Sequence, residues 1–185
     1  MNFKERKLKG VFEITPNSIN DNRGFFMRTY DKEIFKRNNI NTEWVQENHS
    51  GTVSKGTIRG MHFQLPPHAE AKLVRCIKGK VINAFIDLRV DSDTFGKWDM
   101  IELSAFNKKM IFIPKGFANG FCIIENDSEL IYKTDNIYNP EFERRIKWND
   151  NDVGIEWPLL NPILSDKDKH NDSFYQIKNE LVQSL

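Results

Sequence analysis

Turn signals punctuate this chain about every 8–12 residues, a rhythm that leaves room for short strands and little room for helices. Pro16-Asn17, Asp21-Asn22-Arg23-Gly24 and Asp91–Gly96 are among these turns. The runs between them read as strands. Val81–Val90 puts Ile82, Ala84, Ile86, Leu88 and Val90 on one face. Asn83, Asp87 and Arg89 fall on the other, with Phe85 as an apolar exception. Leu8–Thr15, Phe25–Tyr30, Thr42–Ser50, Trp98–Ser104, Met110–Ile113, Gly120–Ile124 and Leu130–Thr134 are further short strands. In Thr42–Ser50, Trp44, Gln46 and Asn48 share a face. No strand–helix–strand unit interrupts the series, so the expected class is an all-β sandwich or barrel. Two segments have helical spacing. Asp31–Asn38 opens on a capping aspartate, and Asp172–Leu185 carries Phe174, Ile177 and Leu181 with Asp172 as its cap. With 185 residues, the chain suits one domain over 1–171 and a helical extension over 172–185.

Charge and cysteine content narrow the function classes. Twenty-seven Lys and Arg nearly balance 26 Asp and Glu, so no strong global field draws the chain to nucleic acid or to an anionic membrane. No apolar run approaches membrane-spanning length. Cys76 and Cys122 are the only cysteines, neither lies in a CxxC, and no signal peptide is evident. They read as buried thiols in a reducing compartment, and the expected location is the cytoplasm.

The stretch Gly56–Gly79, GTIRGMHFQLPPHAEAKLVRCIKG, holds two histidines, two arginines, two lysines, a double proline and three glycines. A plain core strand needs no such mix. Its spacing resembles the first metal-binding motif of the cupin superfamily. Five residues separate Gly56 from His62, Gln64 stands where a second histidine would be, and six residues separate Lys72 from Gly79. The second motif is resembled by Pro114-Lys115-Gly116, with Asn119 in place of a histidine. Ammonium does not ligate metals and amides ligate them poorly. The resemblance therefore implies a jelly-roll barrel with short flanking helices and a C-terminal helix, no metal, and a pocket turned to other chemistry.

RGMHFQLPP, KLVR, GFANGF, LIYKT and LSDKD, with DNRGFF and VQENHS before them, together resemble the dTDP-4-dehydrorhamnose 3,5-epimerase family over about Gly10–Lys169. The resemblance implies inversion at C3 and/or C5 of a nucleotide-diphospho-4-keto-6-deoxy sugar, without a cofactor. Both carbons lie next to a ketone, so each can lose a proton to give an enolate and regain one on the other face. It implies His62 as base, Asp168 holding the imidazole, Lys72 beside the developing oxyanion and Tyr132 as acid. Arg59 and Arg23 are implied as diphosphate contacts. Phe26, Gln46, Asn48 and Tyr138 are implied around base and ribose, and Glu143 and Lys167 at further binding positions. A homodimer whose N-terminal strands, with Arg23 to Arg28, serve the partner's site is also implied.

Two positions depart from that pattern. The family usually carries glutamate at Arg28, where it accepts from thymine. Arginine cannot accept a hydrogen bond but matches the O6 and N7 acceptors of guanine, and also suits the carbonyl of cytosine, which makes GDP a serious candidate nucleotide and leaves CDP open. Asn119 stands where the family usually has a histidine beside the sugar. That removes a titrating group and bears on sugar size, hexose or heptose, or on C3-versus-C5 choice. A sugar-nucleotide 3,4-ketoisomerase, a non-catalytic sugar-nucleotide-binding cupin and a metal-dependent cupin dioxygenase are the competing readings of the same barrel.

Overall fold

The structure, a computed structural model, describes residues 1–183. In chain order its strands are β1 (Asn2–Glu5), β2 (Phe12–Thr15), β3 (Ser18–Asp21), β4 (Gly24–Met27), β5 (Gln46–Thr52), β6 (Ile58–Gln64), β7 (Lys72–Lys78), β8 (Lys80–Asp87), β9 (Trp98–Ser104), β10 (Met110–Ile113), β11 (Phe117–Ile123), β12 (Ser128–Thr134) and β13 (Glu143–Arg145). Helix α1 (Lys32–Arg37) follows β4, and α2 (Phe174–Gln183) follows a 3-10 turn over Asp168–His170. The strands form a six-stranded sheet in the order β1-β2-β10-β7-β12-β5, a five-stranded sheet in the order β13-β6-β11-β8-β9, and a separate β3–β4 hairpin. This is the expected all-β jelly roll.

Three apolar layers hold it together. Between the sheets, Val74, Cys76, Val81, Phe85, Leu103, Ile111, Ile123 and Leu130 form the inner core. Helix α1 lays Phe35 on the outer face of the six-stranded sheet, against Ile14, Leu73, Met110 and Phe112. Asp31 caps α1 by accepting from the N–H groups of Glu33 and Ile34, as its position predicts. On the other side, Phe174 and Ile177 of α2 bury against Ile58, Met61, Ala84 and Ile86 of the five-stranded sheet.

The cap of α2 is a correction. Asp172 pairs instead with Ile146 in an isolated bridge. Ser173 and Gln176 make a reciprocal capping box: the Gln176 N–H donates to Ser173 Oγ (3.3 Å), and the Ser173 N–H donates to Gln176 Oε1 (2.9 Å). The expected end of this helix, Ser184-Leu185, lies outside the described residues. Strand limits also shift. Thr42–Val45 precede β5, Arg28–Tyr30 follow β4, and Leu8–Thr15 gives only β2. The face of β8 that carries Asn83 and Asp87 is not solvated, because it points into the space between the sheets, where both residues are 0% exposed. Phe85 is no exception on that face but part of its apolar filling.

Cys76 and Cys122 are free and buried. Burial pushes both thiols up to about 11, which removes the thiolate that redox or metal chemistry needs.

Asp87 carries a buried polar network away from the site. Its carboxylate accepts from Arg89 Nε (2.8 Å), Ser92 Oγ (2.7 Å) and Thr94 Oγ1 (2.6 Å). Burial raises its pKa, but the hydrogen bonds outweigh burial and hold it below the ordinary carboxylate value. Asp87→Asn should destabilise the fold by about 1–3 kcal/mol, the cost of leaving buried hydrogen-bond donors without their acceptor. Because folding lowers this pKa, the stabilisation is fully present above the ordinary value of 3.8 and fades as pH falls through the folded-state value. Urea titrations should show the gap between the two proteins closing only in that acid range.

Candidate active site

Strand register brings polar side chains from the two sheets face to face where the apolar filling ends. On the five-stranded sheet, His62 of β6 lies opposite Asn119 of β11 and opposite Arg145 of β13. On the six-stranded sheet, Tyr132 of β12 lies between Asn48 of β5 and Val74 of β7, and Thr134 lies between Gln46 and Lys72. His62, Lys72, Tyr132 and Asn119 line one cavity of about 260 Å³. Gln46, Asn48, Tyr138 and Glu143 line an adjoining one of about 150 Å³ that also reaches His62, Lys72 and Tyr132. A third space of about 450 Å³ runs from His62 past Arg59, Tyr138 and Glu143 to Lys167 and Asp168. His62 is common to all three.

Two glycines let β6 approach β11 closely enough for this register. A Cβ on Gly60 would lie 2.5 Å from the Gly120 Cα, and one on Gly120 would lie 2.9 Å from the Arg59 carbonyl. Gly60 also sits at φ +137°, outside the range that side chains adopt readily.

His62 Nε2 is 2.7 Å from Asp168 Oδ1. A carboxylate only accepts, so Nε2 carries the proton and Nδ1 is left as the basic nitrogen. Ser165 Oγ donates to Asp168 Oδ2 (2.9 Å), and the side chain of Asp168 is 5% exposed against 33% for His62. Burial pushes the Asp168 carboxyl up, but hydrogen bonds from His62, Ser165 and Asn171 outweigh it and hold it below the ordinary range. Burial raises the Tyr132 phenol. Arg59 lowers it, and Glu70 and Glu143 raise it, so the hydroxyl stays protonated at neutral pH and can act as a donor.

Asn119 spends its amide hydrogens on Asn83 Oδ1 (2.8 Å) and the Ala84 carbonyl (3.0 Å), which leaves its carbonyl oxygen as its free polar atom. The four positions that resemble cupin metal ligands, His62, Gln64, Lys72 and Asn119, do converge here.

Two charged residues escaped the sequence reading. Glu70 salt-bridges Lys72 at 3.2 Å and accepts from Gln64 Nε2 at 2.6 Å. Its spacing of two from Lys72 is the strand signal that could have found it. Arg145 lines the space beside Lys167. Three expected residues are not brought to this site within the chain. Arg23 pairs with Asp21 in the β3–β4 turn, and Phe26 is 66% exposed. Arg28 bonds Asp31 at 2.9 Å and borders a separate cavity on the outer side of the six-stranded sheet. A larger space, about 910 Å³ beside Arg89 and Ser92, shares only Phe63 and Gln64 with the site lining.

The family model described as dTDP-4-dehydrorhamnose 3,5-epimerase matches residues 5–176. This chain belongs to the dTDP-4-dehydrorhamnose 3,5-epimerase family. A family relative from Shigella flexneri is 44% identical over 175 residues, covering 94% of this chain and 96% of that protein. One from Methanothermobacter thermautotrophicus is 40% identical, covering 91% of each. Among solved structures, the Bacillus anthracis epimerase with TDP and PPi bound superposes with a TM-score of 0.92 at 36% identity, over 94% of this chain and 99% of that one. The Legionella pneumophila epimerase in complex with dTDP-4-keto-L-rhamnose gives 0.92 at 34% identity, over 97% and 96%. The chain is thus an enzyme of the isomerase class, an epimerase acting on a nucleotide sugar, as expected. Among the described residues, no helix is long and apolar enough to cross a membrane.

Proposed function

We propose that this epimerase inverts C3 and C5 of dTDP-4-keto-6-deoxyglucose, giving dTDP-4-keto-L-rhamnose, through an enolate. The observation that carries the reading is His62, held at 2.7 Å by Asp168 of the 3-10 turn, on one sheet and facing Tyr132 and Lys72 on the other across a single cavity. A sugar ring lying between the sheets has His62 on one face and Tyr132 on the other. His62 Nδ1 takes the proton from the carbon beside the ketone. The electron pair moves onto the C4 oxygen, which the Lys72 ammonium stabilises as an oxyanion. The Tyr132 hydroxyl returns a proton to the opposite face, and collapse of the enolate restores the ketone. Hydrogens leave and return as protons, so the cycle asks for no redox partner.

The named relatives support dTDP as the nucleotide carrier. Arg28 raises GDP as the competing one. Its bond to Asp31, which also caps α1, ties Arg28 to the helix and favours dTDP. The exposed Ile19, Phe25 and Phe26 of the β3–β4 hairpin favour a homodimer in which the hairpin lends Arg23 and Phe26 to the second copy's cavity. A monomeric mass in solution would contradict that part.

The test is product analysis by NMR with dTDP- and GDP-linked 4-keto-6-deoxy sugars. Inverted C3 and C5 on the dTDP substrate is the expected result. A carbonyl moved to C3 would instead mean a ketoisomerase, and turnover of the GDP sugar alone would reverse the choice of nucleotide. Lys72→Ala should lower kcat about a hundred- to thousandfold, as loss of an oxyanion donor does, with KM little changed. Steady-state rates on the same substrate check this.

A further inference from the structure

We propose that Arg145 is a substrate-binding residue that takes a diphosphate oxygen of the nucleotide sugar, together with Arg59 and Lys167; this rests on the nucleotide-sugar reading above. Arg145 lies directly opposite His62 in the β6–β13 register, so the two side chains leave the sheet on the same face. It lines the same space of about 450 Å³ as Arg59, His62 and Lys167. The diphosphate is joined to C1 of the sugar. With the sugar held at His62, Lys72 and Tyr132, two spaces adjoin it at His62, and the one of about 450 Å³ is the one lined by Arg59, Arg145 and Lys167, the cations that group needs.

The charges in this space fit a diphosphate. Asp168 is committed to His62, and Glu143 to Arg145 and to the Tyr138 hydroxyl at 3.2 Å. Among the described residues, Arg59 and Lys167 have no acidic partner, so the space carries uncompensated positive charge. Among the described residues, only one terminal nitrogen of Arg145 is engaged, by Glu143 Oε2. A guanidinium has five N–H donors in a fixed fork, so donors remain for a second oxyanion. Glu143 therefore orients the fork without exhausting it. The side chain of Arg145 is 26% exposed and that of Glu143 14%, so the group is partly dehydrated yet open to a ligand.

The experiment measures pyrophosphate and dTDP binding by calorimetry to the wild-type enzyme, Arg145→Ala and Arg145→Lys, with KM and kcat on the dTDP sugar in parallel. Arg145→Ala should weaken pyrophosphate binding and raise KM roughly ten- to hundredfold, the scale of a lost hydrogen bond to a charged group, and leave kcat within about twofold. Arg145→Lys, which keeps the charge and loses the fork, should fall between the two. Equal pyrophosphate affinity in wild type and Arg145→Ala, or no pyrophosphate binding by either, overturns the inference. Arg145→Lys keeps the test decisive if the alanine variant misfolds, because undiminished pyrophosphate affinity in a folded lysine variant also overturns it. Failure of the substrate reading looks different: tight, Arg145-dependent pyrophosphate binding without turnover of the dTDP sugar would sink that reading and leave this one standing.

Discussion

His62→Asn should lower kcat about a hundred- to ten-thousandfold, the range for loss of a positioned general base. The effect falls on kcat because the amide cannot take a carbon-bound proton, while the nucleotide contacts proposed for Arg59, Tyr138 and Lys167 are untouched. KM should stay within a few-fold. Thermal stability should hardly change, because the His62 side chain is 33% exposed and, among the described residues, anchors only one hydrogen bond. A variant retaining more than about a tenth of wild-type kcat would remove His62 from the chemistry.

Asp168→Asn should cost on the order of ten-thousandfold in kcat, the loss seen when a triad aspartate becomes an amide. The reason is the tautomer. Asp168 accepts from His62 Nε2, which frees Nδ1 to act as base. In the variant, the carbonyl oxygen keeps the hydroxyl of Ser165, which donates to Oδ2 in the wild type. The amide nitrogen is then turned to His62. It donates to Nε2, drives the proton to Nδ1 and blocks the base. The same exchange has a stability signature. Folding lowers the pKa of Asp168, so its stabilisation is complete above the ordinary value of 3.8 and is lost as pH falls through the folded-state value. The wild type should therefore lose stability in acid where Asp168→Asn does not, measured by urea midpoints across that range. A variant with near wild-type kcat would mean that the carboxylate does not set the imidazole.

The fold was legible where one strand carries its own pattern. Trp98–Ser104 and Met110–Ile113 are strands with the limits their sequences predict. It was not legible where pairing supplies the structure. Strand β13 is Glu-Arg-Arg, with no apolar residue to betray it, and it exists because β6 offers a free edge. That the β8 face with Asn83 and Asp87 points inward was not legible, because both residues are polar. Their partners lie outside the strand: Asn119 on β11 donates to Asn83 Oδ1, and Arg89, just past the end of β8, donates to Asp87.

The site shows the same division. His62, Lys72 and Tyr132 stand in local motifs. Asp168 lies 106 residues from His62, and no spacing rule joins them; only the family resemblance paired them. Glu70 and Arg145 escaped because a charged residue near a turn reads as solvated until register shows which way it faces.

Proton abstraction next to the ketone is the central claim, and deuterium incorporation tests it most directly. The wild-type enzyme, turning over dTDP-4-keto-6-deoxyglucose in D2O, should place deuterium at both C3 and C5, read by NMR of the recovered sugar. Inverted product that keeps its original hydrogens at those carbons would contradict the enolate route.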